Sequence, residues 1–219
     1  MIVVFLGPPG AGKGTQCKLI ADRYGLKHLS SGDILRRERK EQTQLGRKAQ
    51  AFMDAGKLVP DDLIVEMMSR EINAGADGVV LDGFPRTLGQ AKELDKALAR
   101  MGGKVDVALN LEVDDEKLEE RITGRRSCPT CGTAYHLKFN PPKKDQVCDK
   151  DATPLTQRSD DTSAVVRQRI ATYHEQTAPL EAYYARQGNL HGIDGNANID
   201  EVTQSLYEAL DPLANCGKR

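Results

Sequence analysis

Short apolar runs alternate with longer amphipathic stretches along most of this 219-residue chain. The apolar runs are typical of short buried strands and lie at 2–6, 28–29, 79–81 and 105–111, with Ile193 marking another near the end. Helical spacing of apolar positions predicts helices at 15–24, from about 34, and at 61–73, 87–100, 115–123, 163–187 and 200–210. Buried strands that alternate with helices indicate an α/β fold with a parallel sheet covered on both faces. Pro179 predicts a kink or break within the 163–187 helix.

Two segments interrupt this alternation. Residues 30–59 are polar and helical in pattern and contain no strand run. Residues 124–161 hold glycine, proline and three of the five cysteines, with little helical periodicity. Because an interruption of this length in an α/β chain is usually functional, we expect two inserted lobes. The remaining segments, 1–29, 60–123 and 162–219, would then form the core domain.

Charge and hydropathy exclude some classes of function. The net charge is −1, so no overall basic field indicates a nucleic-acid-binding protein, and any anion site must be a local cluster. No apolar run approaches the roughly 20 residues that cross a bilayer. The first residues, MIVVFLGPPG, lack a cationic leader and predict a first strand rather than a signal peptide. We therefore expect a cytoplasmic protein with reduced cysteines, whose clustering indicates a metal more than disulfides.

The sequence GPPGAGKGTQ at residues 7–16 follows the first predicted strand and precedes a helix. Gly7, Gly12 and Lys13 match the phosphate-loop pattern G-x-x-x-x-G-K-[ST], but Gly14 occupies the place of the magnesium-binding hydroxyl and Thr15 comes one residue later. Glycines let backbone N–H groups surround phosphate oxygens at the positive end of the helix. The alternative is an ordinary glycine-rich turn, but strand–loop–helix context and the Gly-Lys pair favour a nucleoside triphosphate site.

The segment VVLDGFPR at 79–86 places Asp82 at the end of an apolar strand. In phosphate-loop proteins an aspartate at this place holds Mg²⁺, directly or through water. The alternative is a turn aspartate, since Asp-Gly is a common turn pair.

The second insert contains CPTC at 128–131 and CDKD at 148–151, which is C-x2-C, sixteen residues, then C-x2-D. This spacing predicts a four-ligand structural zinc site formed by Cys128, Cys131, Cys148 and Asp151. The paired spacing favours Asp151 over His136 as the fourth ligand. The alternative to a metal site is three free thiols with an aspartate nearby. A zinc-bearing nucleic-acid reader is a second class of function, but the segment lacks a strongly basic, aromatic-rich face.

Several motifs occur in an order that resembles one family. They are GPPGAGKGTQ, HLSSGDILR (28–36), GKLVP (56–60), DGFPRT (82–87), ERITGRR (120–126), YHLKFNPP (135–142) and QRSDD (157–161). Together they resemble the adenylate kinases of the long bacterial type, whose lid can bind zinc through three cysteines and an aspartate. The resemblance covers essentially the whole chain. It implies a P-loop NTPase fold with two mobile lobes, an AMP-binding lobe at 30–59 and a zinc-stabilised lid at 124–161.

The resemblance also implies a reaction and its residues. The family transfers a phosphoryl group reversibly between ATP and AMP with Mg²⁺, giving two ADP and balancing cellular adenine nucleotides. It implies that ATP is bound by Gly10, Ala11, Gly12, Lys13, Gly14, Thr15, Arg121, Arg125, Ala134, Tyr135 and Ala197. It implies that AMP is bound by Ser31, Arg36, Lys57, Leu58, Val59, Gly83, Phe84, Pro85, Arg86, Gln90, Arg158 and Arg169. The implied catalytic residues are Lys13, Arg86, Arg125, Arg158 and Arg169, and Asp82 and Asp33 would hold Mg²⁺ through water.

Elementary chemistry agrees with these roles. Phosphoryl transfer requires two substrates in line and positive charge around the migrating group, and arginine suits bidentate phosphate contacts. Taken singly, each arginine would be an ordinary surface residue. We expect no general base, because the AMP phosphate is already anionic. We also expect ATP, AMP and ADP as partners, no nucleic acid or membrane, and a monomer. Another nucleoside monophosphate kinase is the alternative, because Ser31 stands where relatives often have threonine.

Overall fold

The computed structural model describes residues 1–73 and 78–216, so residues 74–77 and 217–219 of the predicted core lie outside it. The described chain forms a five-stranded sheet flanked by helices and a separate two-stranded sheet. The strands of the large sheet are β1 (Ile2–Leu6), β2 (Lys27–Ser30), β3 (Val79–Asp82), β4 (Val107–Glu112) and β7 (Leu190–Asp194). Their order is β2-β3-β1-β4-β7, and every pair is parallel. The predicted parallel α/β fold is confirmed.

Helices cover both faces of this sheet. One face is covered by α1 (Lys13–Tyr24) and α9 (Ile199–Cys216), and the other by α4 (Asp61–Asn73), α5 (Leu88–Arg100) and α8 (Pro179–Gln187). Two further helices, α6 (Asp115–Thr123) and α7 (Ser163–Thr172), contact each other. Alternate side chains of β1 enter two different cores. Val3 and Phe5 pack with α1 and α9, whereas Val4 and Leu6 pack with α4, α5 and α8. Burial on both faces explains why the strands are continuous apolar runs rather than alternating patterns.

The helix predicted over 163–187 is interrupted. A π-helical turn, Tyr173–Thr177, follows α7, and α8 begins at Pro179. Proline lacks the backbone N–H that a continuing helix needs, so it is tolerated at the first position of a new helix. The predicted break is confirmed, and the structure adds the π turn before it.

Side chains of the first insert, including Ile34, Leu35 and Ala49, pack in the same core as α4, α5 and α8, whereas the second insert has a core of its own. Residues 30–59 contain α2 (Ser31–Lys40) and α3 (Gln44–Asp54), each capped by a hydroxyl: Ser30 accepts from Asp33 N, and Thr43 accepts from Gly46 N. Residues 124–161 contain the antiparallel pair β5 (Arg125–Ser127) and β6 (Ala134–His136). The core of this second insert is small, comprising Cys128, Tyr135, Cys148 and Leu155. So small a core needs another source of stability.

Within the described residues, no helix is both long and apolar enough to cross a membrane.

Candidate active site

The glycine loop connects β1 to α1 at the carboxyl edge of the sheet. Lys13 bends back over this loop, and its Nζ donates to the carbonyl oxygens of Gly7 and Pro8 at 2.6 and 2.8 Å. Gly7 has φ +127°, and an added Cβ would lie 2.6 Å from the Leu111 carbonyl oxygen, so no other residue fits there without a shift. The loop therefore has the compact form that directs N–H groups toward an anion.

The Lys13 ammonium lies in an environment that disfavours its charge. The pKa of Lys13 is lowered to about 8, chiefly by burial and also by the charge of Arg86, which together outweigh the opposite effect of Asp82. A bound phosphate would favour the charged form of Lys13, so the loop is suited to a polyanionic ligand.

Asp82 ends β3 beside this loop, as its strand position predicted. Its Oδ2 lies 3.4 Å from His28 Nε2, and both side chains are largely buried. Burial would raise the pKa of Asp82, but the His28 hydrogen bond and the Lys13 charge outweigh it and the pKa is lowered. The Cys17 thiol, fully buried in α1, completes a group of three ligand-type atoms that lie within 4.8 Å of one another. Asp82 is thus held ionised where a metal or its waters could bind.

A single cleft of about 1210 Å³ joins the glycine loop to both inserts. All but one of the predicted nucleotide-binding residues, together with Asp33 and Asp82, line it. Phe84 is the exception: its side chain is 1% exposed and packs in the core with α5. Phe84 therefore belongs to the core rather than to the surface of the cleft.

Six arginines give the cleft a concentrated positive charge: Arg36, Arg86, Arg121, Arg125, Arg158 and Arg169. The pKa of Arg86 is lowered to about 10, chiefly by burial and also by the charge of Arg169. Burial likewise lowers the pKa of Arg158 to about 10, with Arg125 and Arg36 adding to the effect. These values remain far above neutral pH, so the groups stay charged and repel one another. An anion with several charges would relieve this repulsion.

Buried carboxylates hold these arginines in place. Asp161 has no exposed surface and accepts from Arg125 Nε and Nη2 at 2.9 and 2.5 Å and from Arg169 Nη1 at 3.3 Å. Asp160 accepts from the same Arg169 nitrogen at 3.1 Å. Both aspartates belong to the motif QRSDD, but the motif alone indicated no role for them. The available signal was an acidic pair that begins two residues after Arg158.

Asp33 has a different set of partners from Asp82. Its Oδ1 accepts from Arg36 at 2.5 Å and lies 3.8 Å from Arg158. Burial would raise the pKa of Asp33, but these two arginines outweigh it and the pKa is lowered. The Asp33 carboxylate therefore orients two arginines in addition to any contact with a metal's waters.

The cysteine group of the second insert has the geometry of a metal centre. Ligand atoms of Cys128, Cys131, Cys148 and Asp151 all lie within 4.8 Å of one another. The Sγ atoms of Cys131 and Cys148 are 3.6 Å apart, and Asp151 Oδ2 is 3.3 Å from Cys128 Sγ. Tetrahedral Zn²⁺ with Zn–S bonds of about 2.3 Å separates its sulfur ligands by about 3.8 Å. The four side chains therefore fit a zinc ion without rearrangement of the backbone.

Neighbouring groups support the same interpretation. The N–H of Cys131 points at Cys128 Sγ at 3.4 Å, and the Tyr135 hydroxyl lies 3.5 Å from Cys148 Sγ. Such contacts orient metal ligands. His136 is not part of the group. Its Nε2 contacts the Glu120 carbonyl oxygen, and its Nδ1 accepts from two backbone N–H groups, so both ring nitrogens are engaged elsewhere.

A parallel sheet with a phosphate loop at its carboxyl edge, facing clustered arginines and an ionised aspartate, defines a P-loop phosphotransferase. The adenylate kinase family model matches residues 5–189. The chain is 50% identical over 212 residues to an adenylate kinase of Carboxydothermus hydrogenoformans, covering 96% of this chain and 99% of that protein. It is 47% identical to one of Lachnospira eligens, covering 96% and 100% of the two chains. The chain belongs to the adenylate kinase family.

Proposed function

We propose that this protein transfers the γ-phosphoryl group of ATP to AMP, reversibly, with two ADP as products. The observation that carries the proposal is the single cleft in which a phosphate loop faces six arginines contributed by the core and both inserts. A site for one triphosphate typically combines the loop with a single additional arginine. Arginines along the whole cleft suit two phosphate chains that meet end to end.

The donor would lie on the glycine-loop side. Residues 10–15 would surround the ATP phosphates, and Arg121 and Arg125 would also contact these phosphates. The Arg121 Nη1 donates to the Gly195 carbonyl oxygen at 2.9 Å, next to the loop that carries Ala197. Ala134, Tyr135 and Ala197 line the cleft near this arginine and would contact the donor base.

The acceptor would lie between α2 and β3. Ser31, Arg36 and residues 57–59 come from the first insert, and residues 83–86 and Gln90 come from the core. The Arg86 Nε donates to the Gly83 carbonyl oxygen at 2.8 Å, which leaves the other guanidinium nitrogens for the AMP phosphate. The Ser31 hydroxyl donates to the Gly83 carbonyl oxygen at 2.6 Å, a bond that threonine could also form.

Catalysis would rest on charge and alignment. Lys13, Arg86, Arg125, Arg158 and Arg169 would surround the migrating group and neutralise charge that develops on its oxygens. Mg²⁺ bound with ATP would supply further positive charge at the donor phosphates. The ionised carboxylate of Asp82, with Asp33, would hold the waters of that ion. No general base is required, because the AMP phosphate is itself the nucleophile.

The two inserts would act as mobile covers that exclude water, 30–59 over AMP and 124–161 over ATP, on a core formed by 1–29, 60–123 and 162–219. Contacts across the cleft support closure: Lys18 Nζ of α1 donates to the Gly132 carbonyl oxygen of the second insert at 2.6 Å. Arg39 of the first insert donates to Ser159 Oγ of the second at 3.2 Å. The cysteine–aspartate group would hold a structural Zn²⁺, because four protein ligands leave no open position.

The test is a substrate screen of the purified chain. With ATP, AMP and Mg²⁺ we expect ADP, and omission of AMP should nearly abolish turnover of ATP. UMP, CMP and GMP should be poor acceptors, and equal or faster turnover of any of them would refute the assignment of AMP. The family resemblance leads to the further proposal that the protein is a monomer of the cytoplasm, and light scattering on the same sample tests the monomeric state.

A further inference from the structure

The side-chain amide of Gln90 is bonded at both ends by the protein. Its Oε1 accepts from the backbone N–H of Arg86 at 2.7 Å. Its Nε2 donates to Asp61 Oδ1, also at 2.7 Å. Gln90 is only 1% exposed, yet it lines the cleft beside Arg86 and Pro85. The amide is therefore buried, polar and aimed into the acceptor side of the cleft.

The two partners fix which end of the amide is oxygen. A backbone N–H can only donate, and an ionised carboxylate can only accept, so the orientation follows from chemistry rather than from the appearance of the amide. Rotating the amide by 180° would place Gln90 Nε2 against the Arg86 N–H, so that two donors face each other. It would also place Gln90 Oε1 against the Asp61 carboxylate, so that two acceptors face each other. A buried site makes such unpaired groups costly.

Asp61 is itself held in place. The Thr87 hydroxyl donates to Asp61 Oδ2 at 2.7 Å, and the same Thr87 oxygen accepts the backbone N–H of Gln90 at 3.1 Å. Gly89 lies in the first turn of α5, where alanine would favour the helix. A Cβ at Gly89 would lie 2.8 Å from Asp61 Oδ2, so the glycine leaves room for the carboxylate.

The bonds already made determine what Gln90 can offer a ligand. An amide has two N–H donors and two oxygen lone pairs. One of each is used by Asp61 and Arg86, which leaves one donor and one acceptor in fixed positions. Adenine presents the acceptor N1 beside the donor N6 amino group, whereas hypoxanthine and guanine present the donor N1–H beside the acceptor O6. For a base placed with N1 opposite Gln90 Nε2 and its exocyclic group opposite Gln90 Oε1, the fixed amide would match the first pattern and oppose the second.

We propose that Asp61 is a positioning residue that sets the base selectivity of the acceptor site by holding the Gln90 amide in one orientation. This inference rests on the proposed function, in which Gln90 contacts the acceptor base. Orientation of Gln90 by Asp61 would explain a preference for adenine even though Ser31 replaces the more usual threonine nearby. Asp61 would act on the base only through Gln90 and would not contact it.

The test compares AMP with IMP, because hypoxanthine reverses the hydrogen-bond pattern without adding the 2-amino group of guanine. In Asp61→Asn the residue that faces Gln90 Nε2 can either donate or accept. One of the two hydrogen bonds that fix the orientation of the Gln90 amide therefore no longer specifies it. We expect the ratio of kcat/KM for AMP over IMP to fall at least about 10-fold, which corresponds to about 1.4 kcal/mol. The change should be in KM, with kcat for AMP within about 3-fold of the original value, because the phosphate contacts are intact.

Two further variants make the test decisive. Asp62→Asn removes the same charge from an exposed neighbour in the first turn of α4, and it should leave the ratio unchanged. Gly89→Ala should lower the ratio by displacing the Asp61 carboxylate, while improving helix propensity, and it serves if Asp61→Asn fails to fold. An unchanged ratio in the folded variants, an equal loss for both nucleotides, or the same shift in Asp62→Asn would overturn the inference. Failure of the unmodified enzyme to use AMP would instead refute the proposed function.

Discussion

Asp161 offers the sharpest test of how the cleft holds its arginines. This carboxylate has no exposed surface and bonds to Arg125 through both oxygens and to Arg169 through one. Asp161→Asn preserves the shape of the side chain but removes its charge. The new Nδ2 group would also oppose guanidinium N–H donors. Both arginines would lose part of their orientation at the point where phosphates are proposed to meet.

The structure allows a magnitude to be worked out. Removing one partner of a buried ion pair costs roughly 3–5 kcal/mol. The side chains of Arg125 and Arg169 are 20% and 21% exposed and can partly rehydrate, so we expect about 2–3 kcal/mol of lost stability. For a chain of this length this corresponds to a fall in Tm of roughly 5–10 °C. Misplacing a catalytic group by an ångström costs about 100-fold in rate, so kcat should fall about that much.

The assay is a pair of measurements on one protein sample: the rate of ADP formation at saturating ATP and AMP below the melting range, and Tm by calorimetry. Asp145→Asn is the matched control, because it removes a charge from an exposed position in the same insert. It should change kcat by less than about 2-fold and leave Tm within about 1 °C. If Asp161→Asn retained kcat within about 3-fold at that temperature, orientation by Asp161 would be refuted, whatever happened to Tm.

Three further predictions concern other parts of the molecule. Purified protein should contain one zinc ion per chain, and Cys128→Ser should lower Tm by roughly 5–10 °C while activity at low temperature is largely kept. Because the pKa of Lys13 is lowered to about 8 and bound phosphate favours its ammonium form, ATP binding should take up protons and weaken as the pH rises through 8, as calorimetry in two buffers will show. Gly46→Ala would place Cβ 2.2 Å from the Glu38 carbonyl oxygen, so it should cost at least about 2 kcal/mol by denaturant unfolding and raise the KM for AMP.

Each of these has a control. Lack of zinc after purification without chelator, or a loss of activity larger than the loss of stability, would contradict a purely structural metal. Lys13→Arg keeps its charge at high pH and should abolish the proton uptake, whereas equal uptake in both proteins would exclude Lys13 as its source. Gly103→Ala meets its nearest atom only at 3.7 Å and should be tolerated. If Gly103→Ala destabilised the chain as much as Gly46→Ala does, close packing of α2 on α3 would not explain the effect of Gly46→Ala.

The sequence pattern predicted the elements of the core well, because burial on both faces of a parallel sheet leaves continuous apolar runs. The helix bounds 61–73 and 115–123 agree with the structure at both ends. The last helix was predicted too short, since α9 continues to Cys216 through Pro212. The π turn at Tyr173–Thr177 was missed, because its residues have no spacing that separates them from an ordinary helix.

Some site residues can be identified from the sequence, whereas others can be identified only from the structure. Gly7, Lys13 and the paired cysteines carry their chemistry in a spacing along the chain, so they were found directly. Asp161, His28 and Asp61 act through partners that are distant in sequence: Asp61 bonds to a side chain 29 residues away, and His28 to one 54 residues away. No local pattern marks such residues, and only the folded chain shows what they contact.

The sequence by itself determined the fold class, the phosphate loop and the ligand set of the predicted zinc site, because each depends on the order of residue types within a short segment. The tertiary structure alone decided how the arginines are oriented, which end of the Gln90 amide faces Asp61, and that the Phe84 side chain belongs to the core. These features arise from parallel strands that bring separate loops to one edge of the sheet. There, burial makes every charge and every hydrogen bond depend on neighbours supplied by other parts of the chain.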